Sequence, residues 1–179
     1  MEFRDLRADE IDCRVQSVKD TGLVLLLYKD ARVDMNILDE TVGAENWQRE
    51  HYECKGNLFC RVGINVNFAN DNLGSKWVWK SDCGKESNTE PQKGESSDAF
   101  KRSCVSWGIG RELYSAPFIW IPADKCNIKE YGKDNYKCYD KFDVEKIKIE
   151  CKQITGLAIR NLTTKKRCFV WAVNNDSKN

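Results

Sequence analysis

Residues Ser96–Leu113 read SSDAFKRSCVSWGIGREL, with Lys101 and Arg102 side by side inside a helical pattern. Phe100, Cys104 and Trp107 recur at i, i+4 and i+7, the spacing of one apolar helix face. Two adjacent cations on such a helix have two readings. They are an ordinary solvated surface, or positive charge held at a fixed pitch for a phosphate backbone. Gly108 and Gly110 would each weaken a helix interior by ~1 kcal/mol against alanine. They read as close packing or a kink, since Gly-Ile-Gly alone is no phosphate loop.

Other side chains invite enzymatic readings. FDVEKIKIECK carries Asp143, Glu150 and Lys152, the carboxylate spacing and E-x-K ending of a metal-dependent nuclease. There two carboxylates would hold a divalent cation and the lysine would assist the attacking water. Such triplets are common in charged strands, and no preceding helix supplies a further acid. His51, the single histidine, lies in a strand pattern with no nucleophile motif beside it. No GxxxxGK[ST] stretch for nucleotide phosphates occurs. The nine cysteines stand at 13, 54, 60, 83, 104, 126, 138, 151 and 168, without a CxxC pair. They read as free thiols in a reducing cytosol, acting as small hydrophobes rather than zinc ligands or disulfides. No catalytic residue, metal or cofactor is called for.

The whole chain sets the limits within which these residues act. At 179 residues, 41 % hydrophobic and 32 % charged, it is long enough for a sizeable core and has the balance of a soluble domain. A formal net charge of +1 argues against a uniformly basic surface but leaves room for a local basic groove. The opening MEFRDLRADEID lacks an apolar signal core, and no apolar run approaches ~18 residues, so neither secretion nor a membrane span is expected.

Periodicity predicts the elements that position the candidates. Arg4–Asp12 reads as a short helix or lead-in. Cys13–Val18 and Leu23–Tyr28 read as a hairpin around Lys-Asp-Thr-Gly, the second strand buried on both faces. Ala31–Val42 is a helix stopped by Gly43. Between Trp47 and Gly84, turn residues separate three antiparallel strands, in the last of which Trp77 and Trp79 share a face opposite Val78. KESNTEPQKGE is a loop, and a long helix spans roughly Ser96–Leu113. KEYGKDNYKCYDK reads as an exposed connector, followed by strands at Val144–Cys151, Ile154–Asn161 and Arg167–Val173. The fold class is α+β.

In this order, KDARVDMNILDETVGAENW, the three-stranded meander and SSDAFKRSCVSWGIGREL together resemble the annealing domain of Rad-fifty-two. They are closer still to its phage relatives of the Sak and DdrA type, as GRELYSAPFIWIP also indicates. The resemblance covers about residues 1–122; residues 123–179 match the phage proteins alone, as a connector and C-terminal β-strand extension. It implies a curved antiparallel sheet of hairpin plus meander packed on the long helix. It further implies a homo-oligomeric ring or filament that holds single-stranded DNA in a basic groove and anneals complementary strands without ATP. The setting would be DNA recombination and repair in the cytoplasm of a bacterial host, encoded by a bacteriophage or prophage. A phage exonuclease or a single-strand-binding protein is the implied partner.

By motif position the inner groove falls on Arg32, Lys101 and Arg102. A third basic position of the family falls on Val105, and a tyrosine position on Ala44, which departs from the pattern. Arg32 has a second reading, an ion pair with Asp30 or Glu95. Outer contacts to DNA are read at Lys76 and Lys80, which flank the tryptophan strand, and at the turn cluster Lys165, Lys166 and Arg167. The same lysines also suit ordinary turns and edge protection. Trp77, Trp79 and Trp120 read as core or subunit packing, or as surfaces for bases. Two further function classes remain at this point: a non-DNA oligomeric scaffold of the same fold, and the nuclease.

Overall fold

The computed structural model describes residues 1–70, 72–85 and 91–173. In chain order the elements begin with β1 (Asp12–Lys19), β2 (Gly22–Tyr28), α1 (Ala31–Val42), β3 (Trp47–Cys54), β4 (Asn57–Asn65) and β5 (Trp77–Cys83). There follow α2 (Pro91–Trp107), β6 (Ile119–Pro122), β7 (Ile128–Glu130), β8 (Tyr136–Cys138), β9 (Phe142–Glu150), β10 (Gln153–Asn161) and β11 (Lys166–Ala172). These elements form two compact units: Met1–Arg4 with Ala31–Arg111, and Asp5–Asp30 with the chain from Glu112 onward. An α+β class with antiparallel sheets is what the structure shows.

The first unit holds α1, the meander β3-β4-β5 and α2. The predicted first helix stands where expected. Gly43 ends it with φ +84°, and its N–H reaches Asp39 O at 3.0 Å, the left-handed stop for which glycine carries no steric penalty. Asn46 Nδ2 then covers the Val42 carbonyl at 3.0 Å. The second helix differs at both ends from its reading. Pro91 takes the first helical position, where a missing N–H costs nothing, so the helix begins five residues before Ser96. It stops at Trp107, because Gly108 and Gly110 have φ of +101° and +67°. Ile109 N returns to Cys104 O at 3.1 Å, a Schellman closure. The glycines therefore end the helix; they do not kink it.

α2 buries Ala99, Phe100, Ser103 and Cys104 against Cys60, Val62 and Ile64 of the meander. One buried hydroxyl ties the two layers. The register sets Cys60 of β4 opposite Asp82 of β5. Ser103 Oγ accepts the Asp82 N–H at 3.1 Å, with the carbonyls of Cys60 (2.6 Å) and Ala99 (2.9 Å) in reach of its proton. Trp107 Nε1 adds a donor to Val62 O at 3.0 Å.

The second unit is a six-stranded antiparallel sheet in the order β11-β10-β9-β1-β2-β6, with β7-β8 as a separate ribbon. Here the arrangement departs from expectation. The hairpin β1-β2 does not share a sheet with the meander; it joins the C-terminal strands through the pair Asp12↔Asp143 and takes β6 on its other side. Periodicity reports which face of a strand is apolar but not which strand lies beside it. Gly22 permits that second pairing: a Cβ there would stand 2.5 Å from Ile121 O and 2.6 Å from the Trp120 ring. The β2 run is buried on one face only, since Leu26 and Tyr28 are exposed. Arg4–Asp12 contains just a 3-10 turn, Ala8–Glu10. The connector is not featureless. It folds as β7-β8, and Asp140 clamps its base by accepting from Asn127 N (2.8 Å), Asn127 Nδ2 (2.9 Å) and Asn161 Nδ2 (2.7 Å).

All nine cysteines are free, four of them buried and two, Cys54 and Cys151, exposed. Burial pushes the thiols of Cys13 and Cys126 up to about 12, and those of Cys60 and Cys168 up to about 11. Since the thiolate is the nucleophile, brief alkylation of the folded protein at pH 8 labels Cys54 and Cys151 first. Mass spectrometry of the peptides checks this, with Cys13, Cys60, Cys126 and Cys168 labelled only after denaturation. Ser103→Ala leaves the Asp82 N–H without its acceptor and lowers stability by about 1–3 kcal/mol, measured by urea unfolding.

Candidate nucleic-acid interface

A helix that commits one arc to a sheet leaves the opposite arc to water, and successive residues stand about 100° apart around the axis. With Phe100, Ser103 and Cys104 inward, Lys101 and Arg102 fall on the two shoulders of the outer arc. Arg102 is exposed and leans toward β5, where its guanidinium meets Asp82 Oδ1 at 3.3 Å. Lys101 is half-buried and makes no hydrogen bond or ion pair with any described residue. Val105, where the resemblance implies a third basic residue, follows on the outer side, half-buried and uncharged.

Arg32 is exposed in the first turn of α1, and α1 packs on α2. The three inner-groove candidates therefore belong to one unit and two touching helices. Glu95, one of the partners considered for Arg32, accepts the Leu58 N–H at 3.2 Å. Ala44, where the resemblance implies a tyrosine, is exposed in the turn after α1.

The outer candidates separate into engaged and unengaged cations. Lys80 points at the helix: its Nζ donates to Ser106 O at 2.9 Å and lies 4.5 Å from the centre of the Trp107 ring. Arg111, which the sequence reading passed over, joins it by donating to Val105 O and Ser106 O. Both satisfy carbonyls orphaned at a helix C-terminus, where cations also meet the favourable end of the dipole. Lys76 is exposed just before β5, its backbone N–H held by Asn65 Oδ1 at 3.0 Å. In the second unit Lys165 and Lys166 are exposed, Lys165 with φ +59° in the turn before β11. Arg167 is bound by Glu145 through two contacts, 2.6 and 2.8 Å, which hold the Glu145 carboxyl below its ordinary range.

The nuclease reading loses its geometry. Asp143 and Glu150 lie seven residues apart on β9, about 23 Å at strand rise. Asp143 pairs with Arg160, Glu150 with Lys148, and Lys152 with Asp5, each at 2.8 Å. Among the described residues no group of three or more His, Cys, Asp or Glu converges as a metal site. His51 is used structurally, its Nε2 lying 3.1 Å from both the carbonyl and the hydroxyl of Ser96. No helix among the described residues is long and apolar enough to cross a membrane.

Residues 4–129 match the model of the Rad52/22 family of double-strand break repair proteins. The chain is also similar to the single-stranded DNA-binding protein DdrA of Deinococcus radiodurans, 32 % identical over 106 residues. That alignment covers 58 % of this chain and 47 % of the relative, so the chain spans about half the length of the protein it matches. No solved structure matches. A family match over most of the chain places this protein in the Rad52/22 double-strand break repair family.

Proposed function

We propose that the protein binds single-stranded DNA through Arg32, Lys101 and Arg102 and anneals complementary strands without ATP. The observation that carries this is Lys101, a cation on the outer arc of a firmly seated helix with no protein partner among the described residues. A rigid helix sets positive charge at a fixed pitch, and repetition around a homo-oligomeric ring or filament multiplies it. Such a grip on the backbone leaves base edges open to a second strand, and base pairing itself drives the reaction. The relative's single-strand binding and the family's repair role support the reading. Its setting is phage-type homologous recombination in a bacterial cytoplasm, alongside an exonuclease or a single-strand-binding protein. Lys76, Lys165 and Lys166 are available for outer contacts; Lys80 and Arg167 serve there only after leaving Ser106 and Glu145.

Lys101→Ala with Arg102→Ala lowers the slope of log affinity against log salt by about 1.4, two contacts at ~0.7 each. Helix content and melting temperature stay near the parent's. Fluorescence anisotropy with a labelled oligonucleotide across a salt series checks this, and unchanged binding removes the site. Asp82, 3.3 Å from the guanidinium, competes with a phosphate for Arg102. An exposed pair of this kind is worth only about 0–1 kcal/mol, so the carboxylate is a weak competitor. Asp82→Asn therefore tightens single-strand binding by up to about fivefold, read in the same titration.

A further inference from the structure

The meander has a second face, turned away from α2. The register sets Gly63 of β4 opposite Trp79 of β5, and Phe59 opposite Tyr52 of β3. A Cβ on Gly63 would stand 2.8 Å from the indole of Trp79, so that ring lies flat on the β4 backbone. Arg61 places its guanidinium 4.7 Å from the centre of the same ring, and Glu50 holds that guanidinium at 2.6 Å. Trp77 follows, 6.3 Å from Trp79 and tilted 30°, while Tyr52 and Phe59 stack at 5.5 Å. Trp77, Trp79 and Tyr52 remain 37, 36 and 36 % exposed. A hollow of about 460 Å³ beside Trp79 is lined by Glu50, Tyr52, Arg61, Lys80 and Ser81.

We infer that this face is a stacking platform for unpaired nucleobases, separate from the helix cations. The inference rests on the single-strand reading above. Two features favour bases over another occupant. First, the rings are held in place by the sheet, and a π-face accepts any base without reading its sequence. The planar Arg61 guanidinium is a further stacking surface of the same kind. Second, the Glu50–Arg61 pair sits in the middle of the aromatic row. A second copy of the chain docking dry against this face would bury that pair and meet its desolvation cost. A single strand stacking by its bases leaves the pair's rim in water.

The charge arithmetic separates this platform from the helix site. Glu50 already neutralises Arg61, so stacking here releases few counterions and its contribution to binding is nearly independent of salt. Faces, not edges, are held, which is compatible with pairing to a complementary strand.

The intact protein is irradiated with an oligonucleotide carrying iododeoxyuridine, and the crosslinked peptides are mapped. Crosslinks are expected on the peptide that carries Trp77 and Trp79; their absence there overturns the platform. In parallel, Trp77→Ala is titrated with oligo(dT) and with an abasic strand of equal length. It is expected to lose about tenfold affinity for oligo(dT) and none for the abasic strand, at both low and moderate salt. Equal losses on both strands would mean a backbone contact or a damaged fold, and would sink the proposal. Unchanged binding with an altered particle mass would sink it too, and would make the face a subunit interface. A parent protein that binds neither strand refutes the single-strand reading itself, a result distinguishable from all of these.

Discussion

The meander and α2 depend on each other through a narrow seam of polar contacts buried in apolar surroundings. Ser103 takes a backbone N–H from β5 and faces a backbone carbonyl of β4, and Trp107 reaches the next inward carbonyl on β4. Buried polar groups of this kind are costly when unmatched, so the seam admits one rotation of the helix about its axis. Once that rotation is set, Lys101 and Arg102 have no choice of direction. The placement of the cations is a consequence of what the opposite side of the helix must satisfy.

The seam also sorts the unit's positive charge into two kinds. Lys80, Arg111 and Arg49 are consumed internally: two hold the C-terminal carbonyls of α2 and the third lies 4.9 Å from the centre of the Phe100 ring. Lys101 and Arg102 lie on the outer arc of the helix, Arg102 3.3 Å from Asp82. A net charge of +1 is thus compatible with a basic surface, because the balance is struck locally. Carboxylates such as Glu145, Asp143 and Glu50 neutralise arginines elsewhere in the chain.

The two faces of the meander divide work in the same way. Inward residues of β5, Lys80 and Asp82, meet α2, while Trp77 and Trp79 turn outward beside Arg61. Gly63 matters for what it lacks, since any side chain there would lift the Trp79 ring off the strand. Arg61 and Tyr52 drew no notice in the sequence, and no short-range pattern marks them. They become neighbours of Trp79 through strand pairing between residues far apart in the chain.

What the sequence by itself determined is local. Ala31–Val42 was legible because apolar spacing and a glycine stop act within one helix, and the face-sharing of Trp77 and Trp79 because strand alternation is a property of the backbone. The cation pair and the family order were also legible, since both are contiguous features. Tertiary structure decided the rest. Pairing of β1 with β9 and the capture of Lys80 by Ser106 and Arg167 by Glu145 all join residues more than 20 positions apart. Such contacts are set by which complementary surfaces and orphaned polar groups meet once the chain collapses. A side chain's charge is written in its residue type, but whether that charge is spent inside the protein or offered to a ligand is settled by its neighbours in space.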